Sequence, residues 1–407
     1  PPQFSQALGQ AVSFCYKLFF VPSNNQIQMK FTLTKKMALG LLAAFMALGQ
    51  APAAEHPGAV TKVVEIDSLK PGSPYKRIWQ PFIAKWTKNH LVASYGLELR
   101  GKTDMGDVVC SISRNGGKSW GPPITIFDHR IPNGTMRFAY NNSVLFRPPG
   151  QDILWCFAMR APTHFRDSED AKLCAAYSGD GGLSWTQVEL AMDYHGPLIT
   201  CGGILPMTDK TGTRYLLGVH RNTQRHDPGG DRQQFILESR SLLRWKLAGY
   251  VPVIPDKPAW IHEGNIAPGE APGEIRIVTR TGAHKDGLPR PGVAYTAVSR
   301  DFGKTWSHAK PDSTLPNFQS KGFFGRDSLG RYIYVYSDTP EREGLYFKVQ
   351  KPGGDWSQAE LFFGGKTRNS YPTLLEDKPG EWLCVWDSSN DPKVKRTSIR
   401  FGRLKVD

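Results

Sequence analysis

Five short segments of the chain concentrate side chains able to move protons or hold anions. They are Tyr75-Lys-Arg77-Ile-Trp-Gln-Pro81, Leu97-Glu-Leu-Arg100 with Thr103-Asp104-Met-Gly-Asp107, and His262-Glu263 with Glu274-Ile-Arg-Ile-Val-Thr-Arg280. Thr339-Pro-Glu-Arg342-Glu-Gly-Leu-Tyr346 and Arg368-Asn-Ser-Tyr371-Pro372 complete the set. Carboxylates in such company suit proton transfer. A phenol, with a pKa near ~10, becomes a nucleophile only beside a group that takes its proton. Guanidinium groups present rigid forks that match a carboxylate. Singly, each segment has an ordinary explanation. A tyrosine before proline usually packs, and a loop glutamate usually faces water.

Elements that would gather these segments can be read from a repeat. Ser113-Arg-Asn-Gly-Gly-Lys-Ser-Trp120, Ser178-Gly-Asp-Gly-Gly-Leu-Ser-Trp185 and Ser299-Arg-Asp-Phe-Gly-Lys-Thr-Trp306 share the pattern S-x-D/N-x-G-x-S/T-W, each after an apolar, strand-like run. Asp or Asn caps the turn backbone, Gly supplies positive φ, Ser or Thr closes side-chain hydrogen bonds, and Trp packs on the next strand. Weaker copies end at Trp245 and Trp356, so the five tryptophans fall 65, 60, 61 and 50 residues apart. That period fits a four-stranded blade; five marked blades plus one closed by both termini make six. The 72 Gly and Pro residues and 46 aromatics among 407 agree with short strands and tight turns.

Residues 29–54 read as a secretory signal peptide. Lys30, Lys35 and Lys36 form its positive start, Met37–Leu48 its apolar run and Ala51-Pro-Ala53 its cleavage site. The apolar run is shorter than the ~20 residues a membrane span needs. Residues 1–28 contain no acidic residue and read as outside the native protein, leaving 55–407 as one domain, secreted or periplasmic. The formal charge of +14 falls to +10 without the leader, with 47 basic and 37 acidic residues. Such a balance suits an anionic partner, and no Lys/Arg run marks a nucleic-acid groove. Five cysteines remain (Cys110, Cys156, Cys174, Cys201 and Cys384), at spacings of neither a disulfide framework nor a zinc site. Cys156–Cys174 is the pair that could bridge in an oxidising compartment.

The repeats resemble the Asp-boxes of the sialidase (neuraminidase) superfamily, a six-bladed β-propeller, and the resemblance runs through most of residues 75–400. Asp-boxes are turn structures and carry no activity by themselves. Sialidases depart from the usual two-carboxylate glycosidase by using a Tyr nucleophile. Their substrate bears a carboxylate on the anomeric carbon, which would repel a carboxylate nucleophile. In this family's order, Arg77 matches the first arginine of a carboxylate-binding triad, although two residues are inserted before the proline. Arg130-Ile-Pro132, a literal copy of that motif, follows the first Asp-box and reads as a loop. Arg100 resembles a pocket-lining arginine and Asp104 the general acid/base, with Asp107 its competitor. Glu263 resembles the tyrosine-activating glutamate, Arg280 and Arg342 the second and third triad arginines, and Tyr371 the nucleophile.

The resemblance implies an all-β, six-bladed propeller acting as a retaining exo-sialidase-like hydrolase of acidic-sugar glycoconjugates. It implies a monomer without metal or organic cofactor, nucleic-acid partner or stable membrane insertion. Two alternatives stay open. His129, His164, His195, His220, His226 and His262 crowd the middle of the chain, and a His–Tyr–Arg site would suit a propeller lyase abstracting a proton beside a uronate. A non-catalytic glycan-binding propeller would show the same repeats.

Overall fold

Each repeated turn closes by the hydrogen bonds its residue types predict. Ser178 Oγ accepts from the Gly182 amide (2.7 Å), and Asp180 accepts from the Ser184 amide and hydroxyl (3.0 and 2.5 Å). Trp185 Nε1 then donates to the Gly182 carbonyl (3.1 Å). Ser299, Asp301, Gly303, Thr305 and Trp306 repeat the pattern. Ser113 and Asn115 do so in the first copy, where Gly117 has φ +90° and a Cβ would lie 2.2 Å from the Phe401 ring. The weaker copy keeps Ser239 on the Leu242 amide and Trp245 on the Leu242 carbonyl, both at under 3 Å, so two polar contacts suffice to hold the turn.

A computed structural model describes residues 58–102, 104–133, 136–162, 171–222, 232–257, 259–282, 291–365, 368–389 and 396–407. The expected leader at 29–54, the segment before it, and His164 and His226 lie outside these residues. Among them there are strands and turns but no helix, and the strands form antiparallel sheets in a propeller-like arrangement. Thr61–Ser68 pairs with Ser398–Lys405, followed in the sheet by Glu381–Ser388 and Asn369–Lys378, so the start and end of the domain share one four-stranded sheet. Trp260–Pro268, Ile275–Gly282, Val293–Ser299 and Lys310–Pro316 form a second. Phe323–Arg326, Tyr332–Ser337, Leu345–Gln350 and Glu360–Phe363 form a third.

The remaining sheets depart from the expected set of separate four-stranded units. The meander from Ile199–Asp209 to Arg244–Tyr250 gains Ala191–Met192 as a fifth, parallel strand. The meanders from Tyr75 to Phe127 and from Ala139 to Val188 count as a single eight-stranded sheet, although only the Gly106–Tyr140 bridge joins them. The strands beginning at Tyr75, Ala139, Ile199, Trp260, Phe323 and Asn369 touch one another in that order, and the last returns to the first. Apolar layers fill the space between sheets. In the largest, Phe157 packs edge-on against the fully buried Trp245 with centroids 5.4 Å apart, beside Phe235, Leu217 and Trp155. All five described cysteines are buried free thiols. Cys174 Sγ faces the Ala158 carbonyl (3.3 Å), so no bridge joins it to Cys156.

Candidate functional site

First strands of the meanders are interrupted at one level. Pairing register shifts between Trp79 and Phe82, Asn141 and Val144, Thr200 and Ile204, His262 and Asn265, and Ser370 and Thr373. Each shift is a bulge, which bends the strand and re-aims a side chain. Gln80, Asn142, Glu263 and Tyr371 sit in four of these bulges with φ between 49° and 54°. Asp104, Arg342 and Arg396, in turns and loops, have φ of 60° or 61°. Left-handed backbone costs a non-glycine residue on the order of 1–3 kcal/mol, and such strain collects at functional sites. Of the four other described non-glycine residues with positive φ, Leu242 and Phe302 lie in the repeated turns and Gln319 meets Arg342, so the strain is concentrated in turns and around this cluster.

Glu263, Arg342 and Arg396 gather with Arg280 around Tyr371, which is 3% exposed. Arg280, opposite His262 on the neighbouring strand, places Nη1 2.7 Å from Glu263 Oε2 and 3.2 Å from the Tyr371 hydroxyl. The expected direct Tyr–Glu pair is thus a linkage through one arginine nitrogen. Burial would raise the Glu263 carboxyl, but Arg280, His220 and Arg342 outweigh it and hold it at about 2. Behind Glu263, its amide donates to His220 Nδ1 (3.4 Å), whose ring lies 5.5 Å from that of His262.

Arg342 approaches the Tyr371 ring face at 5.4 Å and hydrogen-bonds the Gln319 carbonyl. The Asn369 amide donates to the Arg342 carbonyl (2.6 Å), tying its loop to the strand that carries Tyr371. Arg342 is 7% exposed, its Nη1 has no hydrogen-bond partner, and it pairs with no carboxylate among the described residues. Burial and the neighbouring Arg396, Arg280 and Arg368 push its ionisation below the ordinary arginine range. Arg368 is likewise lowered by burial, then by Arg396 and Arg77. A cluster of cations this poorly compensated favours an anion in contact with it.

Across the site, Glu98 is the buried anchor. It takes Lys76 (2.9 Å), Arg77 (3.2 Å) and the Asp104 amide (3.0 Å). Arg77 also lies 3.9 Å from Asp104. Burial, and then Glu98, raise the Asp104 carboxyl, against the opposing pull of Arg396 and Arg77. Asp107 points elsewhere. It accepts from the Tyr75 hydroxyl and from the His129 amide (2.7 Å), and contacts His129 Nδ1 at 2.6 Å. Arg100 does not join the cluster: the strand ends at Leu99, the chain turns through Gly101, and Arg100 Nε donates outward to the Ser73 carbonyl (3.0 Å). Arg130 is exposed and paired with Asp128.

Gly106 allows the Asp104 turn to lie against the Leu97–Leu99 segment, since a Cβ there would fall 1.8 Å from the Leu97 carbonyl oxygen. Gly106→Ala is expected to cost about 3 kcal/mol or more through forced backbone displacement. Chemical denaturation measures this, and a cost below ~1 kcal/mol would contradict it.

Arg396, absent from the sequence expectations, completes the cluster. Its guanidinium lies 4.5 Å from the Trp79 ring centre and 4.6 Å from that of Tyr371. Trp79 meets Tyr371 edge-on at 5.7 Å.

Residues 89–383 match the family model described as a BNR repeat-like domain. No curated protein matches the chain in sequence. Among solved structures, a protein of unknown function from Dyadobacter fermentans is 18% identical, with a TM-score of 0.61 over 85% of this chain and 100% of its own. A Hadza microbial sialidase is 16% identical, with a TM-score of 0.65 over 82% of this chain and 66% of its own. An intramolecular trans-sialidase from Ruminococcus gnavus, solved with oseltamivir carboxylate, is 12% identical, with a TM-score of 0.62 over 84% of this chain and 97% of its own. At these identities the likeness is one of fold.

Proposed function

The chain belongs to the family of BNR repeat-like domains, and from that premise we propose that it is a six-bladed propeller and a retaining glycoside hydrolase. It would release terminal sialic or related nonulosonic acids from glycoconjugates. The closed cycle of six first strands supports the blade count, with the eight-stranded sheet divided at its single bridge. The observation that carries the activity is Arg342, buried without a carboxylate partner among the described residues, over the Tyr371 ring and beside Arg280. The sialidase neighbours support the reading, one of them solved with a carboxylate-bearing ligand. The leader-like residues 29–54 support a site of action outside the cytoplasm.

In this reading Arg280 and Arg342 hold the sugar carboxylate and Tyr371 attacks the anomeric carbon. Glu263, linked to Tyr371 through Arg280, receives the phenol proton. Asp104 protonates the leaving oxygen and then, as the carboxylate, draws a proton from the water that hydrolyses the glycosyl–tyrosine. Hydrolysis of a fluorogenic α-sialoside, with proton NMR of the first-formed sugar, tests the proposal. Release of the α-anomer is expected. No release from any nonulosonic acid glycoside, or first release of the β-anomer, would sink it; an ultraviolet-absorbing unsaturated product would indicate a lyase.

The acid role has a pH signature. Asp104 donates only while protonated, and its raised ionisation extends that form upward in pH. Arg77 opposes the rise, so Arg77→Met is expected to move the alkaline limb of the kcat/KM profile to higher pH. An unmoved limb, or one displaced downward, would remove Asp104 from the acid role.

A further inference from the structure

Arg77 was expected to be the first arginine of the carboxylate clamp, yet its guanidinium is held by Glu98 at 3.2 Å and lies 3.9 Å from Asp104. Arg396 instead is 6% exposed, with its guanidinium over the rings of both Trp79 and Tyr371. Its backbone is held left-handed at φ 61°, just before the Ser398–Lys405 strand. Beneath it, Asp387 is fully buried, accepting from the Ser370 hydroxyl (2.5 Å) and the Gln80 amide (3.2 Å), and its charge faces Arg396.

We infer that Arg396 acts on the nucleophile: it fixes the Tyr371 ring against Trp79 and, with Arg280, stabilises the phenolate oxygen, while Arg77 serves Asp104. The inference rests on Tyr371 being the nucleophile. Arg280 donates to the phenol oxygen and Arg396 lies over its ring, so both attract the negative charge that oxygen carries as it leaves the sugar. This supplies what Glu263 alone does not, since Glu263 is already neutralised by Arg280. In the first step the phenol proton passes to Glu263 as the Tyr371 oxygen bonds to the anomeric carbon, and the aglycone oxygen leaves with the Asp104 proton. In the second step water attacks that carbon, Asp104 takes its proton, and Tyr371 departs as a phenolate facing Arg280 and Arg396. The phenolate is reprotonated from Glu263. The charged groups facing Tyr371 are Arg280, Lys321, Arg342, Arg368 and Arg396, with Glu263 behind Arg280 and with Asp104 and Asp387 facing Arg396 in turn.

Kinetics of Arg396→Met, Arg396→Lys and Arg77→Met on a fluorogenic α-sialoside, with circular dichroism as a check of fold, separate the roles. Arg396→Met is expected to lower kcat about 10²-fold, the loss typical of one preorganised donor, with KM within about threefold. Arg396→Lys is expected to recover part of kcat, because a point cation restores charge without the planar stack. A raised KM with kcat retained would make Arg396 a substrate ligand and overturn the inference, as would unchanged kinetics. A second readout needs no turnover. Near-ultraviolet circular dichroism is compared between wild type and Tyr371→Phe, and again with both carrying Arg396→Met. The signal belonging to Tyr371 is expected to fall without Arg396, because the ring is no longer held against Trp79; an unchanged signal would overturn the inference. Wild type inactive on every sialoside would sink the proposed function alone and leave this comparison to decide the role of Arg396.

Discussion

Tyr371→Phe is expected to abolish turnover, lowering kcat on α-sialosides by at least ~10³-fold, as removal of a covalent nucleophile does. Stability is expected to stay within about 1 kcal/mol, because the ring keeps its packing and only one hydrogen-bonding hydroxyl is lost. The edge contact with Trp79 and the approach of Arg342 and Arg396 involve the ring, which Phe retains. Arg280 loses a partner at 3.2 Å but keeps Glu263 at 2.7 Å, so no charge is orphaned. In the proposed reaction a carboxylate in the same place would repel the sugar carboxylate, which is why a neutral phenol would suit the role. Steady-state kinetics beside a thermal melt measure both quantities. A folded variant within about tenfold of wild-type turnover would remove Tyr371 from the mechanism.

The repeat was legible because its turn depends on local hydrogen bonds written by residue type. Ser178, Asp180, Gly182 and Trp185 are neighbours in sequence as well as in space. The pairing of Thr61–Ser68 with Ser398–Lys405 could be anticipated because the tryptophan spacing left one blade without a marked turn. The merging of two meanders at Gly106–Tyr140 could not, since one bridge between distant segments leaves no periodic trace.

At the site, residues set by motif spacing converge: Asp104, Glu263, Arg280, Arg342 and Tyr371 share one neighbourhood. What sequence did not disclose depends on backbone geometry. Glu98 and Arg100 look equivalent two residues apart, but the turn beginning at Arg100 breaks strand alternation and sends only Glu98 inward. Arg396 sits in no repeated motif, and only the fold brings Trp79 and Tyr371 to it. The bulges themselves have no residue signature; Gln80, Asn142, Glu263 and Tyr371 share a conformation, not a side-chain type.

Glu263→Gln is expected to destabilise the fold by roughly 3 kcal/mol at neutral pH, since breaking a buried pair leaves an uncompensated charge. Glu263 is 8% exposed and pairs with Arg280, whose neighbours Arg342 and Arg396 are cations too. The pH dependence has a definite sign. The Glu263 carboxyl is held at about 2 in the folded protein against 4.5 without the fold. A carboxyl depressed on folding contributes stability above its unfolded value and loses it as pH falls through the folded one. The wild-type advantage over Glu263→Gln is therefore expected to be constant above about pH 5 and to shrink between there and pH 2. Denaturant unfolding of both proteins across that window measures it, and the difference cancels carboxylates common to the two. A gap that stays flat with falling pH would mean that Glu263 packs rather than pairs. Arg280 would then hold Tyr371 without an anion behind it, and the phenol would have no nearby carboxylate to receive its proton.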